Sequence, residues 1–419
     1  MRIVQLTPGT GSFYCGTCLR DNALVVELRR QGHDALLVPL YLPLVVDEAL
    51  PERVGPLFYG GIKIYLQQKF GGFRAAPRWL DRLLDAPSLL AAAARRAGMT
   101  SPRDLGDLTL SMLRGEAGHQ AKELARLTDW LVSEIHPEAV CLSTALLVGM
   151  ARQIRARTGA RLVCALAGED AFLDSLPEPT RREAWELVAE RASDVDAFVA
   201  VSRYFADVMI HRARLPADRV HVVYPGIRLD GFEPAPAPPE PPVIGYLARM
   251  IPGKGLGTLV DAFIRLREAG AAPRAKLRVA GACTAADLPF VRALQQRLRT
   301  HGLEGDAEFL PNLSREAKIA FLRGLTLLSV PATYGEAFGL YVLEANAVGV
   351  PVVQPRHGAF PEVLAATGGG VLCEPDDPAS LAEALARLLA DPEAARALGR
   401  QGRDAVQRRF TAERMARET

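Results

Sequence analysis

The sequence predicts an α/β protein made of two doubly wound domains, and three observations support this prediction. Short apolar segments typical of buried parallel strands alternate with amphipathic helical segments along both halves of the chain. The 419 residues exceed the size at which a single hydrophobic core stops growing. A Pro-rich segment at 233–242, which should be stiff and extended, separates a first domain at 1–232 from a second at 243–398. A charged helix at 399–419 ends the sequence.

The first domain opens with a strand, a loop, a helix and a second strand. Residues 1–6 predict a strand, a Gly-rich loop follows, and a helix is expected from about Gly16 to Arg30. Gly32 marks the end of that helix, and residues 35–40 predict the next strand. This pattern is the opening βαβ unit of a doubly wound domain, although its glycines do not complete a dinucleotide-binding fingerprint.

Two glutamates eight positions apart, Glu336 and Glu344, are the most informative feature of the second domain. They follow residues 327–331, which predict a buried strand, and Gly339 stands where a helix should begin. A helix start offers unpaired N–H groups and a partial positive charge to an anionic or hydroxyl-rich ligand. Carboxylates repel a bare phosphate but accept hydrogen bonds from hydroxyls. The pattern indicates a nucleotide sugar, and the alternative is a solvated pair of surface acids.

Two cations stand in a second Gly-rich loop of this domain. Arg249 and Lys254 follow the apolar strand segment at 243–247, and an amphipathic helix begins at Leu256. In open α/β sheets, ligands bind outside the carboxyl ends of the strands, where this loop should lie. A guanidinium fork and a mobile ammonium both suit phosphate oxygens. We therefore interpret the loop as a diphosphate site, with two solvated surface cations as the alternative.

Taken together, these segments resemble the family-4 retaining glycosyltransferases of the GT-B fold. The resemblance covers most of the chain and includes the opening βαβ unit, the two loops above and the segments 202–227, 357–363 and 370–377. It implies two facing Rossmann-like domains, the first binding the acceptor and the second the donor, with the last helix packing back on the first. It also implies transfer of a sugar from a nucleotide sugar to an acceptor hydroxyl, with retention and without a metal or other cofactor.

The resemblance assigns a role to each matching residue. Arg249 and Lys254 would bind the donor diphosphate and stabilise it as a leaving group. Glu336 would contact the sugar hydroxyls and is the third catalytic candidate, and Glu344 would hold the ribose hydroxyls. The remaining donor-binding candidates lie at two helix starts: Gly16, Ala337, Phe338, Gly339 and Leu340.

The chain departs from the family pattern in the first domain. Cys15 replaces the first of two glycines at the first helix start, and residues 167–170 replace a segment that often carries a histidine. Glu169 and Asp170, together with Gly11, are candidates for contact with the acceptor. Helix capping is the alternative for the two acids.

Six cysteines are scattered along the chain. Cys15 and Cys18 form a CxxC pattern at a helix start, the setting that activates a thiol or holds a metal. No second CxxC or histidine pair completes a metal site, so the prediction favours local packing over a redox or zinc role. Cys141, Cys164 and Cys373 fall in predicted strands and should be small buried hydrophobes.

Composition limits the partners and the location. A net charge of +2 without an aromatic basic stripe argues against nucleic acid. No apolar run reaches membrane-span length and no signal peptide is recognisable, so a cytoplasmic location is expected. The abundance of Ala, Arg and Leu is typical of a GC-rich bacterial genome. The basic and aromatic region 62–98 has three interpretations: a packed amphipathic helix, an acceptor pocket, or peripheral contact with an anionic membrane.

Several points stay open from the sequence. The acceptor could be a sugar, a lipid-linked sugar or a small molecule, and neither the base nor the sugar of the donor is defined. Two other functions are compatible with the same scaffold: a nucleotide-sugar-binding protein without transfer activity, and a nucleotide-sugar epimerase.

Overall fold

The fold was analysed in a computed structural model, which describes residues 1–9, 16–44, 46, 48–59 and 102–419. The region 62–98, Gly11 and Cys15 therefore lie outside the described residues. The chain forms two units, one of Met1–Tyr224 with Met415–Thr419 and the other of Pro225–Arg414. Among the described residues, no helix combines the length and the apolar character needed to cross a membrane.

The first unit contains a parallel six-stranded sheet in the order β2-β1-β3-β4-β5-β6. Its central strands are rich in Val, Leu and Ile because both of their faces are buried. The six strands are Arg2–Thr7, Asp34–Pro39, Ala139–Leu142, Arg161–Leu166, Ala197–Ala200 and Val220–Val222, numbered β1 to β6.

Seven described helices belong to the first unit, and two of them show clear local signals. Ser202 caps its helix by accepting a hydrogen bond from the Phe205 N–H, and Gly159 ends another helix in the left-handed conformation. The helices are Gly16–Arg30, Pro102–Leu113, Ala121–Trp130, Ala151–Thr158, Glu169–Ser175, Thr180–Arg191 and Arg203–Arg212, numbered α1 to α7.

The second unit has its own parallel six-stranded sheet, in the order β12-β11-β10-β7-β8-β9. Its strands are Val243–Leu247, Lys276–Gly281, Ala307–Pro311, Leu327–Leu328, Val352–Pro355 and Gly370–Cys373, numbered β7 to β12. The helices are Leu256–Glu268, Leu288–Thr300, Arg315–Arg323, Leu340–Ala347, Phe360–Thr367, Pro378–Ala390, Pro392–Arg409 and Ala412–Glu418, numbered α8 to α15.

The strand order of the second unit reverses between β7 and β10. The chain adds β8 and β9 on one side of β7 and then returns to place β10 on the other side, where Leu327 pairs with Ile244 and Leu328 with Gly245. In open α/β sheets, such a reversal is where ligands bind, outside the carboxyl ends of the two central strands. The loops that carry Lys254 and Glu336 follow these two strands.

Most predicted elements are confirmed with small shifts in their bounds. The first helix runs from Gly16 to Arg30 as expected, and the first two strands shift by one residue. The predicted strand 327–331 contains only two residues of regular strand, because Val330 bonds to the Gln354 side chain instead of a strand neighbour.

The end of the chain is two helices rather than one. Thr411 pairs with Ile227 between Pro392–Arg409 and Ala412–Glu418, and this bridge interrupts the helical hydrogen bonding. The chain passes from the first unit to the second between Tyr224 and Pro225, and it returns to the first unit between Arg414 and Met415. The Pro-rich segment 233–242 lies within the second unit, immediately before β7.

Candidate functional site

Two loops of the second unit meet at the β7–β10 reversal. A single helical turn, Pro252–Lys254, leads to Gly255, which has a φ of 73° and precedes α8. A Cβ atom on Gly255 would lie 1.6 Å from the carbonyl oxygen of Pro331 in the loop after β10. Only glycine permits both this backbone conformation and this approach. The contact holds Lys254 beside the loop that carries Glu336.

Lys254 and Glu336 form an ion pair at this point. The ammonium donates to Oε2 of Glu336, and the two side chains are only 19% and 12% exposed. The Lys254 Nζ also lies 5.0 Å from the ring centroid of Tyr334 and 6.0 Å from that of Tyr341. Burial acts to lower the pKa of Lys254, but Glu336 and Tyr334 outweigh it and the pKa is raised. The lysine is therefore held as a cation.

Glu336 is fixed by contacts from two further directions. The Tyr341 hydroxyl donates to Oε2 over 3.0 Å, and the Ala359 N–H donates to the Glu336 backbone carbonyl over 2.9 Å. Gly358, with a φ of 59°, passes so close that a Cβ there would lie 2.6 Å from the Glu336 nitrogen. The loop after β11 thus supports the loop after β10.

Arg249 lies two residues beyond the end of β7 and is paired with Asp287. Its Nη2 is 3.2 Å from Oδ1 of Asp287, and its carbonyl accepts from the buried Tyr246 hydroxyl at 2.9 Å. Asp287 also accepts from the N–H and the hydroxyl of Thr284, at 2.8 and 2.7 Å. Burial acts to raise the pKa of Asp287, but these hydrogen bonds and the Arg249 cation leave it below its ordinary value. The Arg249 side chain is 41% exposed.

The lowered pKa of Asp287 gives a prediction about acid stability. A depressed folded-state pKa contributes stability above the ordinary aspartate value of 3.8, and this contribution is lost as the pH falls through the folded-state value. Asp287→Asn should therefore lower the free energy of unfolding by about 1 kcal/mol at neutral pH. The free energies of unfolding of wild type and Asp287→Asn, measured in urea, should converge as the pH falls below 3.8. A difference that is constant from neutral pH to pH 3 would contradict the charged role.

Glu344 lies on α11 and is paired with a residue of α10. Its Oε1 accepts from the Lys318 Nζ at 2.6 Å, and the two side chains are 14% and 12% exposed. The sequence predicted that Arg249, Lys254, Glu336 and Glu344 converge. The structure joins Lys254 and Glu336 directly, whereas it pairs Arg249 with Asp287 and Glu344 with Lys318. Each cation of the predicted set therefore has a carboxylate partner, and each acid of the set a cationic one.

The residues that immediately precede α11 are buried. Ala337 and Phe338 are each only 4% exposed, and the Phe338 ring lies 6.3 Å from that of Phe410. Gly339 has a φ of 87° and immediately precedes Leu340, the first residue of the helix. The backbone N–H groups at this start lie between the two predicted glutamates in sequence, which is where the donor-binding prediction placed them.

In the first unit, Gly16 begins α1 and is exposed, as the prediction of a helix start requires. Gly11 lies outside the described residues. Asp170 lies in the first turn of α5, where burial raises its pKa above the ordinary aspartate value.

Glu169 is buried and accepts four hydrogen bonds within the first unit. Its Oε1 accepts from the Thr144 hydroxyl at 2.9 Å and the Ala145 N–H at 2.7 Å, both in the loop after β3. Its Oε2 accepts from the N–H groups of Ala167 and Gly168 at 2.9 and 3.0 Å. Each oxygen thus has two donors, and the side chain joins the loops that follow β3 and β4.

We expect Glu169→Gln to destabilise the first unit by about 1–3 kcal/mol, since the amide NH₂ cannot accept from two buried N–H groups. Urea unfolding measures this loss. The matched control is Glu186→Gln, which changes an exposed glutamate of α6. Equal stability of the two variants would show that the four bonds contribute little.

Cys164 and Cys373 are buried as predicted, whereas Cys141 is half-buried. Cys141, Cys164 and Cys373 lie in β3, β4 and β12, and burial raises the pKa of Cys141 and of Cys373 to about 12. Such thiols stay protonated and pack as hydrophobes. Cys18 is buried, and its sulfur accepts from the Thr7 hydroxyl at 3.8 Å. Because Cys15 is outside the described residues, the role of the CxxC pattern stays a prediction.

Sequence reasoning missed the partner residues of the site: Asp287, Lys318, Tyr334 and Tyr341. A signal existed for Asp287, which follows Thr284 by three positions in the pattern of a hydroxyl-and-acid turn. Tyr334 and Tyr341 stand in the glutamate segment itself, but nothing in the pattern shows which way the rings point. Lys318 has no local signal, because one lysine on an amphipathic helix resembles any solvated cation.

Comparison with known proteins gives matches to two family models. Residues 107–230 match the model described as Glycosyltransferase Family 4, and residues 230–405 match that of Glycosyl transferases group 1. The D-inositol 3-phosphate glycosyltransferase of Xylanimonas cellulosilytica is 32% identical over 250 residues, 56% of this chain and 58% of that protein. That of Mycolicibacterium smegmatis is 27% identical over 299 residues, 69% of this chain and 65% of that protein. The chain thus matches less than two thirds of the length of these relatives.

Solved structures show the same fold at low sequence identity. Sucrose-phosphate synthase from Thermosynechococcus elongatus superposes with a TM-score of 0.72 at 18% identity, covering 99% of this chain and 96% of that one. Anabaena Alr3699/HepE in complex with UDP-glucose superposes with a TM-score of 0.69 at 17% identity, covering 99% of this chain and 97% of that one. The two parallel sheets and these neighbours define an α/β protein of the GT-B fold. The two family models together cover residues 107–405, and they support the assignment to the family-4 glycosyltransferases that the sequence resembles.

Proposed function

We propose that the protein transfers a sugar from a nucleoside-diphosphate sugar to an acceptor hydroxyl, with retention at the anomeric carbon and without a metal. The observation that carries this proposal is the Lys254–Glu336 pair at the β7–β10 reversal, with Arg249 exposed in the same loop. A cation and a carboxylate side by side suit a ligand that has both a diphosphate and hydroxyls. The HepE structure, described as a complex with UDP-glucose, supports a donor of this class.

The proposed reaction exchanges one carbon–oxygen bond for another. The bond between the anomeric carbon and the diphosphate oxygen breaks, and positive charge develops on the sugar ring. The acceptor hydroxyl oxygen bonds to the anomeric carbon on the same face, and its proton passes to the departing diphosphate. Catalysis then depends on stabilising negative charge at the diphosphate, which preorganised cations do most effectively.

Lys254 and Arg249 would supply that positive charge. Lys254 is protonated because Glu336 raises its pKa, so its charge needs no proton uptake when the donor binds. Arg249 is held by Asp287 while its side chain stays partly exposed, and its planar guanidinium suits two phosphate oxygens. The carboxylate partners fix both cations before the ligand arrives, which reduces the reorganisation required at the moment of reaction.

The two glutamates would bind hydroxyl groups. Glu336 would accept from hydroxyls of the transferred sugar, and Glu344 from the ribose of the nucleotide. Glu344 is held by Lys318, and both side chains are largely shielded from solvent. In such surroundings a hydrogen bond to a charged acceptor is stronger than in water. Backbone N–H groups at the start of α11 would contribute to diphosphate binding.

A nucleotide panel tests the proposal. We expect one of the nucleoside diphosphates of uridine, guanosine, adenosine, thymidine and cytidine to raise the melting temperature, since a ligand that binds only the folded state stabilises it. The corresponding nucleotide sugar should then slowly release free sugar without an acceptor. Binding without release would indicate a non-catalytic binding protein, and recovery of an isomerised donor would indicate an epimerase. A panel with no thermal shift would overturn the proposal.

Acceptor and location are tested separately. Sugars, a lipid-linked sugar and small polyols should be compared as acceptors, with D-inositol 3-phosphate included because the relatives' names specify it. We propose a cytoplasmic enzyme. The region 62–98 has three interpretations, and a packed amphipathic helix is favoured over an acceptor pocket and over contact with an anionic membrane. Co-sedimentation with anionic vesicles at low salt tests the membrane contact, and its absence would exclude that contact.

A further inference from the structure

The two oxygens of the Glu336 carboxylate have different surroundings. Oε2 accepts from both the Lys254 ammonium and the Tyr341 hydroxyl. Oε1 accepts no hydrogen bond from any of the described residues, 1–9, 16–44, 46, 48–59 and 102–419, and it is not among their buried unpartnered atoms. A carboxylate offers about four acceptor positions. The open positions are therefore concentrated on Oε1.

Tyr341 is held firmly in the position from which it donates. It is the second residue of α11 and only 8% exposed, and its ring lies 6.4 Å from that of Phe360. A Cβ on the preceding Gly339 would lie 3.2 Å from the Tyr341 ring, so the ring also packs against the backbone that begins the helix. Burial, reinforced by the negative charge of Glu336, raises the pKa of Tyr341 well above its ordinary value. The phenol is thus a permanent donor to the carboxylate.

We propose that Tyr341 is a positioning residue whose hydroxyl, together with the Lys254 ammonium, occupies Oε2 of Glu336 and leaves Oε1 as the acceptor for a hydroxyl of the donor sugar. This inference rests on the proposed function, because it assumes that a nucleotide sugar binds beside Lys254. It adds a division of roles within one carboxylate. One oxygen organises the protein, and the other binds the ligand.

Two donors on one oxygen matter because they limit the rotation of the Glu336 carboxylate. A carboxylate held by one donor can rotate and bring either oxygen to that donor, so a ligand hydroxyl and the lysine would compete for the same positions. Two donors that reach Oε2 from different elements, α11 and the loop after β7, remove this freedom. The acceptor orbitals of Oε1 then have a fixed direction before the sugar arrives, which lowers the cost of binding it.

The test compares Tyr341→Phe with wild type on pairs of ligands that differ only in the sugar. The phenylalanine ring keeps the packing with Phe360 and the approach to Lys254. The probes are UDP, GDP, ADP, dTDP and CDP, each free and as its glucose, galactose, mannose and N-acetylglucosamine esters, with affinities measured by calorimetry. For the ester that wild type prefers, we expect Tyr341→Phe to weaken binding about 10-fold, and to change the affinity for the free diphosphate less than about twofold.

Kinetics provide the second measurement. The Michaelis constant for the donor should rise in Tyr341→Phe, while the turnover number at saturating donor should fall less, because the variant loses ground-state positioning and keeps Lys254. Equal weakening of the diphosphate and of its sugar ester would overturn the inference and assign Tyr341 a structural role. An ester bound by wild type no more tightly than its diphosphate would overturn the Oε1 contact. If wild type binds none of the probes, the proposed function itself fails, and the inference fails with it.

Discussion

Replacing Lys254 by alanine is expected to slow turnover by about 10²–10³-fold, as the loss of one preorganised donor does at other charge-stabilising sites. The ammonium is paired with Glu336 and lies close to the rings of Tyr334 and Tyr341, so these contacts fix its position beside the carboxylate. The measurement is single-turnover release of free sugar from the nucleotide sugar that stabilises the protein most. A Lys254→Ala variant within threefold of wild type would contradict the proposed mechanism.

The same substitution also leaves the Glu336 carboxylate without its cation, and this effect must be separated from the chemistry. Removing one partner of a partly buried pair costs stability because the other charge stays behind. The double variant Lys254→Met with Glu336→Gln removes both charges, and we expect it to recover stability in urea unfolding without recovering turnover. The matched control is Lys276→Ala at the exposed start of β8, which should leave both unchanged.

Replacing Gly255 by alanine should destabilise the second unit by about 2–5 kcal/mol. The φ of 73° is strained for any residue with a Cβ, and the new methyl would lie 1.6 Å from the Pro331 carbonyl oxygen. The loops after β7 and β10 would have to separate, and the Lys254–Glu336 pair would separate with them. The free energy of unfolding, measured in urea, and the affinity for nucleotides should therefore both decrease.

Gly257→Ala is the matched control for this prediction. Gly257 lies two residues further along in α8, and no atom of the described residues, apart from its chain neighbours and the backbone of its own helix, lies within 4 Å of the position its Cβ would take. Alanine there should be neutral or stabilise the helix by about 0.5–1 kcal/mol. If Gly255→Ala and Gly257→Ala were equally stable, the close approach of the two loops would not be a constraint on the fold.

The fold could be predicted because its signals are local. Apolar strand segments, helix periodicity and the Gly32 helix end all act within a few residues, and they place the first βαβ unit almost to the residue. The short β10 and the break at Thr411 could not be predicted, because each depends on a contact distant in sequence. Gln354 bonds to the chain beyond β10, and Ile227 pairs with Thr411.

The site shows the same division. Arg249, Lys254 and Glu336 were found because each stands near glycine at a strand end, which is a pattern readable over a dozen residues. Their partners were missed because ion pairing depends on the folded chain. Asp287 is 38 residues from Arg249, and Lys318 is 26 residues from Glu344.

Two acids of the first unit also show what could not be predicted from the sequence. Glu169 and Asp170 are adjacent in sequence, and their place in the family pattern gave them the same candidate role. The structure separates them: Glu169 accepts from four donors of its own unit, whereas Asp170 is half-buried at the start of α5. The backbone paths of the loops after β3 and β4 create this difference.

The changeover of the chain between its two units affects how the halves can be isolated. The chain leaves the first unit after Tyr224 and returns to it at Met415, within α15. A fragment that stops at Tyr224 would lack Met415–Thr419, the five residues of the first unit that follow the second unit. Residues 225–414, by contrast, are one uninterrupted stretch that holds all six strands of its sheet, and they are the fragment to express for NMR titration with nucleotides.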